Sequence, residues 1–180
     1  MMNFPMAVVF IISSEKMLRI QITKRRDGSG VLRCVRADGS FTWQKQERQA
    51  AFFALHDLTH FAVESTLGFR QGFYGLIEAG WDIEDTTGLG VRGPLPGEAL
   101  EVEYFVGSLD AERASGSTWT ADQFNEHAAI HSAASGRIRP RLLSGDDLAR
   151  VRARRGELFR DWSAVEAGGI LELRFESGGC

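Results

Sequence analysis

The chain has 180 residues, 43% of them hydrophobic and 25% charged, with a formal net charge of −3. That is the length and balance of one globular domain able to bury a core, and it excludes a collagenous, low-complexity or disordered chain. Two cysteines, Cys34 and Cys180, give no spacing for a disulfide framework or a thiolate metal cluster, so the expected compartment is reducing and cytoplasmic.

The N-terminal run Phe4 to Ile12 is apolar, but it is shorter than the ~20 residues of a membrane span and no basic residue precedes it. Neither a signal peptide nor a membrane anchor is expected. From Met17 onward, Leu18, Ile20 and Ile22 alternate with Arg19, Gln21 and Thr23, the period-two pattern of a half-buried strand. Residues 1–16 therefore read as an extension preceding a single domain over 17–180. Asp27-Gly28-Ser29-Gly30 turns the chain into a second strand, Val31 to Arg36, and Asp38-Gly39 turns it into a third, Phe41-Thr42-Trp43-Gln44, which completes an antiparallel meander.

Helical patterns follow. Residues 47–67 form a first helix ended by Gly68, and 71–79 a short second one ended by Gly80. The stretch 81–95 is irregular and rich in Gly, Pro and acids, and long loops of this kind are often functional. Pro96, at a first helical position with Glu98 behind it, opens a third helix reaching Ser115. Thr120 and Gln123 have the spacing of a capping box and start a fourth, which ends before Gly136. Ser144 caps a fifth, whose Leu148, Val151, Leu158, Phe159 and Trp162 trace a core-facing stripe. Leu171, Leu173 and Phe175 alternate with charged residues and form a last strand, assigned to the first sheet. The expected fold class is α+β: an N-terminal antiparallel meander joined by a C-terminal strand and packed against a helical bundle.

Charge is unevenly distributed. From Glu78 to Glu126 there are eleven acids against two arginines, and from Arg137 to Arg160 eight arginines against three acids. The basic stretch falls on a predicted helix behind Asp146 and Asp147, an order the helix dipole favours, and no aromatic residues interleave it as a base-stacking surface requires. No nucleic-acid partner is expected; the partner is a small molecule or another protein.

The first helix carries the chemistry. With His56 at 0° on a helical wheel, His60 falls at about 40°, Glu64 at about 80° and Asp57 at about 100°. The rest of the circle holds Phe52, Ala54, Leu55, Leu58, Phe61, Ala62 and Val63, and no Lys or Arg occurs from Ala50 to Val63. Burying two imidazoles and two carboxylates without a cation is costly. A divalent ion resolves this, since histidines at i and i+4 can chelate one metal. Two imidazoles with carboxylates suit zinc, with iron, manganese and nickel compatible by ligand type. The metal set read from the helix is His56, His60 and Glu64. Because Glu64 lies eight residues from His56, about 12 Å along the axis, it can instead lean back to hold the His60 ring. Asp57, at the edge of the arc, is the candidate base. Further ligands come from Asp82, Glu84 or Asp85, or from a second H-x-x-x-H pair, His127 and His131. In the competing reading the cluster is a buried polar network in a non-catalytic module, with Glu64 paired to an arginine such as Arg70. Gly88-Leu89-Gly90-Val91-Arg92-Gly93 matches G-x-G-x-x-G, but it lacks the strand before and the helix within that a dinucleotide site needs.

The stretch Leu55-His56-Asp57-Leu58-Thr59-His60-Phe61-Ala62-Val63-Glu64, with Leu67-Gly68-Phe69 and Gly72-Phe73-Tyr74-Gly75-Leu76 after it, resembles a group of small bacterial proteins to which no activity is assigned. The resemblance covers the first half of the chain and implies a bacterial, cytosolic protein. A looser resemblance is to the zinc helix of the zincin peptidases: His56 and His60 match their two histidines, and Asp57 stands where they have glutamate. The carboxylate is one methylene shorter than theirs, so the resemblance implies metal binding rather than peptidase activity. The expected function is that of a zinc-binding protein, a hydrolase if the ion activates water.

Overall fold

The computed structural model describes residues 17–134 and 138–177; the expected extension over 1–16, Gly136 and Cys180 lie outside them. β1 (Leu18–Lys24) pairs with β2 (Gly30–Val35), and β2 with β3 (Phe41–Gln46). The other edge of β1 pairs with β4 (Ile170–Phe175), so the sheet runs β3-β2-β1-β4, antiparallel throughout. Each hairpin turn is held by an aspartate: Ser29 N donates to Asp27 Oδ1 at 3.0 Å and Ser40 N to Asp38 Oδ1 at 2.9 Å. Side chains of this kind fold back on the backbone two residues on and favour the turn.

Register sorts the strands into two faces. Ile20 stands opposite Cys34 and Leu173, and Leu18 opposite Phe175; this face is buried under the helices with Ile22 and Leu32. The other face carries Trp43, Arg33, Gln21 and Glu172 in one row. Within it Arg33 Nη1 donates to Gln21 Oε1, and Gln21 Nε2 to Glu172 Oε2, each at 3.0 Å.

α1 (Ala50–Leu67) lies across the buried face. It starts three residues later than its pattern suggests, because β3 runs on to Gln46 and Gln49 adopts a left-handed φ of 54° that stops the helix there. It ends as expected on Gly68, at φ 71°. α2 (Phe73–Glu78) follows, then a 3-10 turn at Ile83–Thr87 and α3 (Gly97–Ser115). Pro96 sits one residue outside α3 rather than in it, with an extended ψ of 155°. α4 (Ala121–Ala134) opens with both bonds of its capping box: Thr120 N donates to Gln123 Oε1 at 2.9 Å, and Gln123 N to Thr120 Oγ1 at 3.3 Å. α5 (Gly145–Ala164) has the Ser144 cap, with Asp147 N donating to its Oγ at 3.0 Å.

A second cluster, including Val63, Phe105, Leu109, Phe124, Leu148 and Val151, fills the space between α1, α3, α4 and α5. α1 is thus buried on two sides. The arginines of α5 tie it to its neighbours: Arg152 donates to Glu112 Oε2 at 2.9 Å and to Trp119 O at 2.8 Å, and Arg155 to Leu109 O at 2.9 Å. No helix among the described residues is long and apolar enough to cross a membrane.

Candidate metal centre

α1 and α3 run antiparallel along their contact: His56 Nδ1 lies 2.8 Å from Asp110 Oδ2, while four residues further on His60 Nε2 lies 3.5 Å from Glu103 Oε1. Seven residues, two helical turns, separate Glu103 from Asp110, which places both on the face of α3 that meets the histidines. The two imidazoles touch edge to face at 4.9 Å. His56, His60 and Glu103 each offer a ligand atom, all within 4.8 Å of one another. Tetrahedral zinc with bonds of about 2.0–2.1 Å needs donors roughly 3.3–3.5 Å apart, so small side-chain adjustments close the set around one ion.

Both histidines turn the same way. The Asp110 carboxylate accepts a hydrogen bond from the His56 Nδ1–H, which leaves Nε2 for a metal. Half-buried Asp110 would be raised by desolvation, but His56 and Arg113 outweigh that and hold its carboxyl below the usual range. On His60, Nδ1 faces Glu64 Oε1 at 3.4 Å, too poorly aligned to hydrogen-bond, and is left buried without a hydrogen bond. Nε2 points to Glu103. Each ring has a carboxylate on its far side, and at His56 this is a hydrogen bond, the contact that orients a ligating imidazole and raises its basicity.

Glu64, fully buried, stands behind His60 and not in the group of three. Its carboxylate accepts the N–H of Tyr74 at 3.0 Å and of Gly75 at 3.2 Å, so it also holds the first turn of α2. Among the described residues no arginine pairs with it, and Arg70 is exposed. This explains the Gly-Phe-Tyr-Gly segment: a Cβ on Gly72 would run into the Glu64 carboxyl carbon, and one on Gly75 into Arg70 O. Burial raises the Glu64 pKa, partly offset by His60 and these N–H groups.

Asp57 is 5% exposed, and Gln46 Nε2 donates to its Oδ2 at 3.2 Å. Burial pushes its carboxyl up to about 6 against the pull of His56 and Gln46. For His60 burial alone would lower the pKa; Glu103, Glu64 and Asp57 outweigh it and push it up to about 9. Without a metal, a proton on His60 supplies the positive charge that this cluster of carboxylates requires.

His56, Asp57, His60 and Glu103 line a cleft of about 630 Å³ together with Phe53, Phe73 and Glu84. Of the three loop acids considered from sequence, Glu84 alone reaches it. Asp82 pairs with Arg36 at 3.1 Å, and Asp85 caps the 3-10 turn and lies 3.6 Å from Arg92. His127 and His131 sit on α4 against the other side of α3, where His127 meets Ser108 and Trp119, and His131 meets Tyr104.

Glu103 and Asp110 went unrecognised in the sequence. Their signal was the seven-residue spacing of two acids on a helix long enough to pack along the histidine helix, but which helices pack together is not written in either one. Comparison with family models, with curated proteins and with solved structures finds no match, so the site is interpreted from this chain's own residues.

Proposed function

We propose that the protein is a metal-dependent hydrolase in which His56, His60 and Glu103 hold a divalent ion, zinc by ligand type, and Asp57 is the base. The observation that carries this reading is the convergence of three ligand atoms within 4.8 Å on the wall of an open cleft. Two imidazoles and one carboxylate leave a fourth position free, as catalytic zinc sites do, whereas structural sites are closed by four protein ligands. An ion held by these residues would supply an activated water, with its pKa lowered toward ~7. Asp57 reaches the same cleft and Gln46 orients it, so its carboxylate is placed to take a proton there. In the reaction the water oxygen bonds to the electrophilic centre and the bond to the leaving group breaks. The proton taken by Asp57 passes to that group.

Zinc titration of chelator-treated protein, followed by a screen of esters, amides and phosphoesters, tests this. One equivalent of zinc should bind. Asp57→Asn should keep the zinc and the melting temperature while turnover falls by about 10²–10⁴-fold, the usual cost of a lost general base. Zinc-loaded wild type with no turnover on any class would leave an ion that only fastens α1 to α3, and would end the hydrolase reading.

A further inference from the structure

Building on the hydrolase reading, we infer that the cleft selects small substrates with a positively charged group, an ammonium or guanidinium, beside the bond that is cut, and that it rejects phosphoesters and other anions. Asp57, Glu84 and Glu103 line the cleft, and among the described residues no lysine or arginine does. The arginines nearby are engaged elsewhere: Arg36 with Asp82 at 3.1 Å, Arg92 with Asp85 at 3.6 Å and Arg113 with Asp110 at 3.3 Å.

A divalent ion would balance Glu103 and Glu64 and leave Asp57 and Glu84 in excess. Glu84 is exposed on the 3-10 turn, and its carboxylate has no ion-pair or hydrogen-bond partner among the described residues. Phe53 and Phe73 add two aromatic rings to the walls. Among the described residues no lysine or arginine lies over either ring; Phe73 packs against His60 at 5.2 Å, and Arg113 lies over Phe52, 5.7 Å from its centroid. Aromatic rings beside an unpaired carboxylate attract cations, and a cavity of about 630 Å³ is the size of a small-molecule site. Phosphate recognition, in contrast, calls for arginine, lysine, a helix N-terminus or a metal ion; of these the cleft would offer only the proposed ion, with Asp57 and Glu84 beside it to repel an anion.

Choline and 3,3-dimethyl-1-butanol have nearly the same shape and differ in charge, so their binding isolates this preference. Calorimetric titration of both, at low salt, into zinc-loaded and zinc-free protein should give choline at least tenfold higher affinity. The margin should widen in zinc-free protein, where the ion's charge is absent. Glu84→Gln should narrow it to about threefold, with zinc stoichiometry and melting temperature unchanged. Equal affinities, no choline binding at millimolar concentration, or inorganic phosphate binding as tightly as choline would overturn the inference. Choline preference in a protein that fails to take up zinc would support charge selection and remove only the hydrolase reading.

Discussion

The chain carries two H-x-x-x-H pairs, His56/His60 on α1 and His127/His131 on α4, and α3 packs against both. Toward α1 it presents Glu103 and Asp110, one facing the ligand side of His60 and the other holding the back of His56. Toward α4 it presents Ser108 and Tyr104, a hydroxyl and a ring. His127 and His131 stack on each other at 6.2 Å, and no carboxylate joins them among the described residues that could hold a metal. Identical spacing thus gives a group that could hold a metal on one helix and a packing contact on the other. The carboxylates of α3 make the difference: Asp110 fixes the His56 ring and raises its basicity, and Glu103 adds a third possible ligand atom.

The comparison breaks most directly by substitution. His56→Ala and His60→Ala should each abolish stoichiometric zinc binding, while His127→Ala and His131→Ala should leave one equivalent bound. Loss of zinc in either α4 variant, read by elemental analysis of protein purified without chelator, would show that the second pair contributes ligands. Next in size is the effect of removing the metal. An ion bound only to the folded state at about 100 times its Kd stabilises it by about 2.7 kcal/mol, so chelation should lower the melting temperature by roughly 5–10 °C for a domain of this size. An unchanged melting curve after verified metal removal would mean that the ion does not brace α1 against α3.

The sequence made some of this legible because the information is local. Alternation predicted the strands and assigned the last one to the first sheet, where it pairs with β1. Capping spacings predicted the starts of α4 and α5. The arc of His56, Asp57, His60 and Glu64 follows from helical geometry alone, but the group that could hold a metal joins the two histidines to Glu103 and not to Glu64. What a single helix cannot show is its neighbour. Glu103 and Asp110 sit in a helix that carries many acids, and only the antiparallel packing of α3 on α1 singles these two out. The role of Glu64 was likewise hidden, since the N–H groups it accepts belong to α2 and approach only because Gly72 leaves room. Asp82 and Asp85 looked equivalent to Glu84 in sequence, but the first meets Arg36 and the second caps its own turn.

Asp110→Asn sharpens the comparison at smaller scale. The amide keeps the shape but weakens the charge-assisted bond to His56 Nδ1, and losing such a support costs about 10–100-fold in metal affinity, or about 1.4–2.7 kcal/mol. Competition with a chelating dye measures it. An unchanged zinc Kd would mean that His56 needs no carboxylate behind it, and the distinction between the two pairs would then rest on Glu103 alone.

The smallest effect belongs to the other side of α3. Ser108 Oγ donates its one proton to Tyr104 O at 2.8 Å, so its 2.9 Å contact with His127 Nδ1 requires the imidazole to donate to the hydroxyl oxygen. That fixes His127 as the Nδ1–H tautomer, held by a neutral acceptor where His56 is held by a carboxylate. Ser108→Ala removes the acceptor from a buried position and leaves a partly buried ring N–H unpaired, at a cost of about 1 kcal/mol. The melting temperature should fall by about 2–4 °C, and the zinc Kd should not move, because nothing that α3 presents to α1 has changed. A zinc affinity that falls together with the melting temperature would show that the two faces of α3 are coupled, and that the α4 histidines help position Glu103 and Asp110 through the helix between them.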